Sequence, residues 1–353
     1  MVRARTLVVV NYHSADMACR AIETARAASS VPLQAVIVDN SGDPAERDRV
    51  AAAGADVVID APDNPGYGEG ANRGRAAANG EILIVANPDV VFAPGSIDRL
   101  AAALEADRVV MSGPRFLWDA AGSWLLPPPE LPTRRRELDR LLAGRSAAWR
   151  RSWWRRRREA RVRFWRSRET AEVEALSGAV VCVRMDAFDR CGGFDPAFRL
   201  YFEEIDLMAR LRAAGGRLVH VPEARCRHLY NQSAGRTSTA AARYVESELR
   251  FLSKWYGERF ARWTLERRAP MPPPARFEDL SAGSPLPLPR GSWLIEASPS
   301  ASFGTAAGTF SNGGEVHLPP EVLETLRGEE LFVMATDLDR GRPGPAVRVA
   351  KTE

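Results

Sequence analysis

The sequence predicts an α/β protein that opens as a doubly wound, mostly parallel sheet. Within the first 115 residues, four short apolar runs alternate with alanine-rich segments of helical periodicity. The runs are apolar at successive positions, which is typical of parallel strands covered by helices on both faces. We expect strands at 6–10, 34–40, 55–60 and 81–87, and helices at 16–28, 44–53 and 70–79.

Length and composition indicate an ordinary globular protein. The chain has 353 residues, 45% of them hydrophobic and 27% charged. Its four cysteines show neither C-x-x-C pairing nor metal-ligand spacing, which indicates a reducing compartment. No stretch reaches the ~18 apolar residues of a membrane span, and the apolar run at 6–12 is too short for a signal peptide.

Changes in composition divide the chain. We expect one main domain at 1–268, with an arginine- and tryptophan-rich insert at about 118–170. Residues 240–268 have the periodicity of one or two amphipathic helices. A proline-rich linker is predicted at 269–290, followed by a small β-rich module at 291–353. Within the module, strand-like runs occur at 292–297, 315–318, 330–336 and 346–350.

A glycine-rich segment near residue 66 permits two interpretations. Gly66, Gly68 and Ala71 match G-x-G-x-x-A, the loose dinucleotide fingerprint. That fingerprint should follow the first strand and open the first helix, whereas here it follows the third apolar run. This context disfavours a nicotinamide site, and a nicotinamide oxidoreductase ranks last among the alternatives. The glycines instead indicate a tight turn that brings backbone close to a ligand, and a turn without a ligand is the alternative.

Acidic residues stand at the ends of two apolar runs. Asp39 ends one run and Asp89 follows another. In open α/β sheets, ligands bind outside the carboxyl ends of the strands. A carboxylate there can accept a ribose hydroxyl or a pyrimidine N–H, or bind a divalent cation that carries a diphosphate. Helix capping is the alternative for each acid. His228, after the run "RLVHVP", is either a further metal ligand or a buried structural histidine.

Three acids open a predicted helix after "GGFDPAFRLYF". Glu203, Glu204 and Asp206 suit the positive end of the helix dipole. Tyr201 and Phe202 precede them directly. Apolar neighbours raise the pKa of a carboxyl group toward that of a general base, so these acids are also candidate catalytic residues.

Six segments in a fixed order resemble the family 2 glycosyltransferases, most closely their bacterial rhamnosyltransferase-like branch. They are "VVVNYHSADM", "VIVDNSGD", "NPGYGEGANRG", "ILIVANPDV", "LSGAVVCVRMDAFDRCGGFDPAFRLYFEEIDL" and "VPEARCRHLYNQS", within residues 5–235 apart from the insert. The resemblance implies a GT-A fold with a mixed central sheet. It also implies a UDP- or dTDP-linked sugar donor, a divalent metal (Mg²⁺ or Mn²⁺) and inversion at the anomeric carbon. The expected acceptor is a glycan or a lipid-linked sugar, in bacterial cell-surface polysaccharide assembly.

The same resemblance assigns roles to individual residues. Asp89 would bind the metal with His228 as a second ligand, and Glu204 would be the catalytic base where the family usually has Asp. Glu203 or Asp206 could share that role, and the Glu-for-Asp change leaves a non-catalytic sugar-nucleotide-binding protein as the alternative. Arg236 is either a further charge on the diphosphate or a solvated loop residue. The expected donor-binding residues are Asn11, Asp39, Asn64, Gly66, Asn72, Asn87 and Arg236.

The insert is strongly basic. Residues 134–168 contain fifteen arginines and three acids, in a chain of net charge +4. A basic amphipathic helix with tryptophans is typical of a segment lying on an anionic membrane, which predicts a cytoplasmic protein at the inner face of the plasma membrane. A helix packed on the catalytic domain and a polyanion-binding helix are the alternatives, but no nucleic-acid-binding fold is recognisable. The predicted apolar face is Leu138, Leu142, Trp149, Trp153, Ala160 and Phe164.

Overall fold

Residues 3–52, 54–228, 239–320, 322 and 330–350 are described by a computed structural model. The chain divides into two units. Unit 1 comprises Met1–Arg115, Pro129–Arg134 and Ser167–Glu266, and unit 2 comprises Phe116–Pro128, Arg135–Arg166 and Arg267–Glu353. Among the described residues, no helix has the length and apolar character needed to cross a membrane.

Unit 1 begins with the predicted alternation of strands and helices. Strands β1 to β4 are mutually parallel in the order β3-β2-β1-β4, which confirms the predicted doubly wound start. The central residues of β1, β2 and β4 are fully buried, because helices cover both faces of the sheet, whereas β3 at the sheet edge is half-buried. The elements are β1 (Arg5–Asn11), α1 (Ala15–Ala27), β2 (Leu33–Asp39), α2 (Pro44–Ala52), β3 (Val57–Asp60), α3 (Tyr67–Ala76) and β4 (Ile82–Ala86).

The rest of unit 1 makes the sheet mixed, as predicted. Its strands are β5 (Val90–Phe92), β6 (Val109–Leu117), β7 (Ala171–Val173), β8 (Val180–Arg184) and β9 (Arg217–His228). Its helices are α4 (Ser96–Ala103), α7 (Met185–Arg190), α8 (Glu203–Ala213), α9 (Thr239–Tyr256) and α10 (Glu258–Arg267). Strand β8 is antiparallel to β4, and the sheet continues through β6 and β9 to β5, with β7 also paired to β9.

The predicted helical region at 240–268 is a pair of helices. Gly257 separates α9 from α10 and has a φ of +90°, a conformation that favours glycine. Phe251 and Leu252 of α9 and Ala261 of α10 are fully buried, so both helices contribute to the core of unit 1.

Unit 2 contains the predicted β-rich module. Its larger sheet has the order β10-β16-β15-β12-β13, and β11 pairs with β14. The predicted linker at 269–290 differs from expectation, because it contains two paired strands. In β11, Pro287 points outward while its leucine neighbours are buried, and the strand lies in a two-stranded ladder that tolerates a missing N–H. The strands are β10 (Glu278–Ser281), β11 (Leu286–Leu288), β12 (Trp293–Ser298), β13 (Ala307–Ser311), β14 (Gly314–Val316), β15 (Leu331–Asp337) and β16 (Arg342–Ala350).

The insert forms the predicted helix pair, α5 (Arg134–Arg145) and α6 (Ala147–Arg166), but the predicted apolar face of α6 is not its buried face. Arg157 and Arg161 are buried instead, and each donates to Glu296 Oε1 in β12, over 3.3 and 3.1 Å. Trp165 fills the space above Gly308 in β13, where a Cβ atom would lie 2.4 Å from its ring. Guanidinium groups tolerate this burial because a carboxylate and backbone carbonyls accept their hydrogen bonds.

The outward surface of the helix pair carries large apolar side chains. Leu138, Leu142 and Trp149 are 41%, 46% and 42% exposed. Arginines surround them, and the Arg156 guanidinium lies over the Trp149 ring at 6.0 Å. We call Leu138, Leu142 and Trp149 the apolar tip of the insert. This part of the predicted apolar face is therefore exposed.

Candidate active site

The carboxyl ends of β1 and β2 hold a buried polar cluster. Asn11 lies opposite Asp39 in the parallel register, and its Nδ2 donates to Asp39 Oδ1 over 2.9 Å. The same nitrogen donates to Glu46 Oε2 over 3.1 Å. Asp39 also accepts hydrogen bonds from the backbone N–H and the hydroxyl of Ser41. The structure thus brings Asn11 and Asp39 together as predicted, and it adds Glu46, which no sequence pattern identified.

The glycine-rich turn packs against the segment that leads into α8. Gly66 has a φ of +102°, and a Cβ atom there would lie 2.3 Å from the backbone oxygen of Arg199. Tyr67 N donates to that same oxygen over 3.1 Å. The Arg199 guanidinium donates to the Asn64 carbonyl over 3.0 Å. Only glycine fits at position 66, and the turn therefore holds the start of α3 beside the start of α8.

Asn72, which was predicted to line the donor pocket, uses its carboxamide to bind the segment after α7. Its Nδ2 donates to the backbone oxygen of Phe194, and its Oδ1 accepts from the backbone N–H of Phe194, each over 2.9 Å. The same nitrogen lies 3.2 Å from Glu69 Oε2. Asn72 therefore fixes the turn after α7, and it acts on the site by positioning the segment that carries the acids.

Glu203 and Glu204 open α8 in a narrow space bounded by two glycines. An ideal Cβ on Gly68 would lie 3.2 Å from Glu203 Cβ, and one on Gly178 would lie 2.6 Å from Glu204 Cγ. Burial raises the pKa of both carboxyl groups, and the charge of Glu204 raises the pKa of Glu203 further. One oxygen of each side chain is buried and makes no hydrogen bond within the described part of the chain. Two such acids are suited to hold and release a proton.

The backbone before the acid pair is strained. Tyr201 and Phe202 both have positive φ values, +69° and +67°, which are rare for residues with aromatic side chains. Phe202 is buried, and its ring lies 5.6 Å from that of Phe251. The aromatic residues predicted to flank the acids are present, and the Phe202 ring anchors the strained segment in the core.

Asp206 does not join the other two acids. Its side chain is fully buried and accepts hydrogen bonds from Arg210 Nε over 2.8 Å and from Trp255 Nε1 over 2.9 Å. Lys254 Nζ lies 2.9 Å from the same carboxylate. With both oxygens bound by cationic and N–H donors, the structure gives Asp206 a structural role and does not support a share in proton transfer.

Asp89 and His228 meet at the junction of β5 and β9. The ladder pairs Val90 with His228, and His228 Nε2 lies 3.2 Å from Asp89 Oδ1. That separation fits two ligands on one cation, because neighbouring oxygen and nitrogen ligands at ~2.1 Å from an octahedral ion lie about 3 Å apart. Within residues 3–228 and the later described ranges, no third His, Cys, Asp or Glu joins them to form a protein-only metal site. Oxygens of a bound ligand and of water would complete the shell.

The segment before β8 links the Asp89–His228 pair to the acid pair. Asn87 N donates to the backbone oxygen of Ala179 over 2.9 Å, which places the Asn87–Asp89 turn beside Gly178 and Ala179. Gly178 in turn contacts Glu204. The two groups of predicted site residues thus border the same short segment. The predicted Arg236 lies outside the described residues.

Tyr67 is a site residue that no sequence pattern predicted. Its hydroxyl oxygen is buried and makes no hydrogen bond to any described residue. Burial and the negative charges of Glu203, Glu204 and Asp89 raise its pKa well above the usual value, so the phenol stays protonated. The only sequence signal was a tyrosine inside the glycine-rich turn, directly after Gly66.

The fold and the convergence of these residues at the strand ends define a GT-A type of α/β protein. Residues 3–250 match the family model described as glycosyltransferase like family 2, and the chain belongs to that family. This confirms both the predicted fold class and the predicted family.

Two curated relatives match the chain over a shorter region. It is 39% identical over 95 residues to the N-acetylglucosaminyl-diphospho-decaprenol L-rhamnosyltransferase of Mycobacterium tuberculosis, covering 26% of this chain and 31% of that protein. It is 34% identical over 83 residues to rhamnosyltransferase WbbL of Escherichia coli, covering 23% of this chain and 31% of that protein. The matches therefore span about a third of each relative.

A solved structure supports the fold assignment. GalNAc-T7, solved with UDP, GalNAc and Mn²⁺, aligns with a TM-score of 0.50 at 14% identity, covering 99% of this chain and 72% of that one. At this level of identity the similarity concerns the fold alone.

Proposed function

We propose that this protein is an inverting glycosyltransferase that moves a sugar from a UDP- or dTDP-linked donor to a hydroxyl group of a glycan or lipid-linked acceptor. One observation carries the proposal: the acid pair Glu203–Glu204 and the pair Asp89–His228 border the same short segment before β8. In an inverting transfer, the attacking hydroxyl and the leaving diphosphate lie on opposite sides of the anomeric carbon. The enzyme therefore needs a base on one side of the sugar and a diphosphate site on the other. The two curated rhamnosyltransferases support the proposal.

The acid pair supplies the base. The acceptor oxygen attacks the anomeric carbon, its proton moves to a carboxylate, and the bond from the sugar to the nucleoside diphosphate breaks in the same displacement. Glu204 is the proposed proton acceptor, and burial at the start of α8 raises the pKa of its carboxyl group. Such general-base catalysis contributes about 10²–10⁴ to the rate.

The other pair faces the leaving group. Asp89 and His228 would hold Mg²⁺ or Mn²⁺, which when bound neutralises charge that develops on the diphosphate. The match to a glycosyltransferase solved with UDP and Mn²⁺ is consistent with this assignment. Asn11 and Asp39 would bind the nucleoside at the ends of β1 and β2, next to the turn that contains Asn64 and Gly66. Asn87 would line the donor pocket beside Asp89, and Arg236 would add positive charge at the diphosphate.

The acceptor is proposed to be lipid-linked, in bacterial cell-surface polysaccharide assembly. One relative is named for an acceptor that carries decaprenol through a diphosphate. A lipid-linked acceptor requires an enzyme at the membrane surface, here the cytoplasmic face. Residues 134–168 would provide that contact, because the apolar tip is exposed among arginines that complement anionic headgroups.

A non-catalytic sugar-nucleotide-binding protein is the second candidate, favoured by Glu204 at a position where the family usually has Asp. A ligand screen separates both candidates from other classes. We expect UDP or dTDP with Mn²⁺ to raise the melting temperature, and NAD and NADP to leave it unchanged. Stabilisation by NAD or NADP alone would overturn the proposed donor class. Turnover then distinguishes the enzyme from the binding protein.

A further inference from the structure

The Tyr67 hydroxyl is a buried polar group with an unused hydrogen-bonding capacity. Its oxygen makes no hydrogen bond to any residue that the structure describes. Buried hydroxyls are nearly always hydrogen-bonded, because an unmade bond costs stability. A buried hydroxyl without a partner inside a candidate site is therefore a group that a ligand would satisfy.

The position of Tyr67 is fixed by contacts around it. Its backbone N–H donates to the Arg199 oxygen over 3.1 Å, in the segment that leads to the acid pair. The next residue, Gly68, packs so closely that an added Cβ would lie 3.2 Å from Glu203 Cβ. The charges of Asp89, Glu203 and Glu204 all act on the phenol. Tyr67 therefore lies beside the acid pair, and the charge of Asp89 also reaches its phenol.

This location identifies the part of the substrate that Tyr67 faces. In the proposed function, on which this inference rests, the diphosphate lies at Asp89 and the attacking hydroxyl lies at Glu204. The sugar that moves is bonded to the first and attacked by the second, so it occupies the space between them. We propose that the Tyr67 hydroxyl hydrogen-bonds to a hydroxyl group of the transferred sugar and thereby sets part of the donor specificity.

A buried hydroxyl group can determine which ligand a site accepts. A site with a buried hydroxyl discriminates strongly against a ligand that cannot pair with it, because the hydroxyl then stays unsatisfied. The nucleoside diphosphate without its sugar leaves Tyr67 unpaired. The affinity of the sugar nucleotide should depend on the hydroxyl, while that of the nucleoside diphosphate should not.

Two matched tyrosine variants test the proposal. Tyr67→Phe removes the unpaired hydroxyl, whereas Tyr256→Phe removes a hydroxyl that donates to the Pro132 oxygen over 2.7 Å. Both variants and the wild type are titrated calorimetrically with dTDP-L-rhamnose and with dTDP, each with Mn²⁺. If dTDP does not bind the wild type, UDP and UDP-N-acetylglucosamine replace the pair. Melting temperatures are measured without ligand.

We expect opposite patterns. Tyr67→Phe should lower the affinity for the sugar nucleotide by about 3- to 10-fold, which is the contribution of one neutral hydrogen bond. The affinity for the nucleoside diphosphate should be unchanged, and the melting temperature should not fall. Tyr256→Phe should lower the melting temperature and leave both affinities unchanged. Equal weakening of both ligands by Tyr67→Phe, no weakening, or a melting temperature loss like that of Tyr256→Phe would overturn the proposal. A wild type that binds none of the four ligands overturns the proposed function itself.

Discussion

His228 Nε2 lies 3.2 Å from Asp89 Oδ1, although the two residues are far apart in the chain. The antiparallel pairing of β5 with β9 creates this proximity, because it places Val90 directly opposite His228. The sheet therefore fixes both side chains at one strand end, and their proposed joint role can be tested by changing either one.

The metal prediction concerns Asp89 and His228. Asp89→Asn and His228→Ala should each abolish the gain in UDP or dTDP affinity that Mn²⁺ gives the wild type, because each removes a ligand. Affinity in EDTA should be unchanged. Asp186→Asn, which changes a half-exposed acid on α7, is the control. Calorimetric titration with and without Mn²⁺ measures this gain in nucleotide affinity. If Mn²⁺ raised the affinity of Asp89→Asn as much as that of the wild type, the assignment would be wrong.

The base prediction separates two neighbouring acids. Glu204→Gln keeps the shape of the side chain and removes its basicity, so kcat should fall by about 100-fold or more with donor affinity nearly unchanged. Glu203→Gln should be milder and should leave the pH at which activity rises nearly unchanged, because Glu203 has the more strongly raised pKa and is still neutral when Glu204 ionises. Steady-state kinetics across pH test both. A severe loss in Glu203→Gln with a mild one in Glu204→Gln would reverse the roles.

The raised pKa of Glu203 also predicts a pH-dependent stability. A carboxyl group whose pKa is higher in the folded protein than its ordinary value of 4.5 stabilises the fold most at low pH. That contribution is lost as pH rises through the folded-state pKa. Glu203→Gln should therefore gain stability relative to the wild type as the pH rises above 4.5 and through the raised pKa of Glu203. Melting curves measure the difference, and a difference that does not change with pH would contradict the pKa shift.

Asp206 should behave as a structural residue. Asp206→Asn leaves Arg210 and Lys254 without their buried anion, so we expect a loss of about 2 to 3 kcal/mol in the free energy of unfolding. This is less than for a fully buried pair, because Lys254 is partly exposed. Urea unfolding provides the measurement. If Asp206→Asn kept wild-type stability but lost as much kcat as Glu204→Gln, Asp206 would have a catalytic role.

The apolar tip should bind anionic membranes. Replacing Leu138, Leu142 and Trp149 by alanine should weaken co-sedimentation with phosphatidylglycerol vesicles at low salt, because apolar burial at the interface is lost. High salt should weaken binding of the wild type, since arginine attraction is screened. Trp263→Ala, which changes an exposed tryptophan of α10, is the control. Equal binding by the triple variant and the wild type would exclude the tip as the contact.

The sequence predicted those features that depend on local pattern. Apolar runs on both faces identified the parallel strands, and acids at run ends identified the sheet edge where Asp39 and Asp89 lie. Helix periodicity identified the helix pair of the insert. These signals are local, because strand and helix periods are set by a few neighbouring residues.

The features that the sequence did not reveal depend on distant partners. Arg157 and Arg161 have the composition of a solvated face, and Glu296 in β12 together with backbone carbonyls makes their burial favourable. Asn72 resembled a ligand-binding residue until its two bonds to Phe194 were known. Local patterns identify which groups can bond, whereas tertiary structure decides which of them do.

The most direct test of the account is nucleoside diphosphate release from dTDP-L-rhamnose, with an N-acetylglucosaminyl-diphospho-polyprenol as acceptor and Mn²⁺ present. Wild type should release dTDP only with acceptor and form one glycosylated lipid per dTDP. Glu204→Gln should bind the donor and release almost none. UDP- and dTDP-linked donors with other sugars extend the assay if rhamnose is inactive. A wild type that binds a donor but releases no nucleotide with any acceptor would contradict catalysis and show a sugar-nucleotide-binding protein instead.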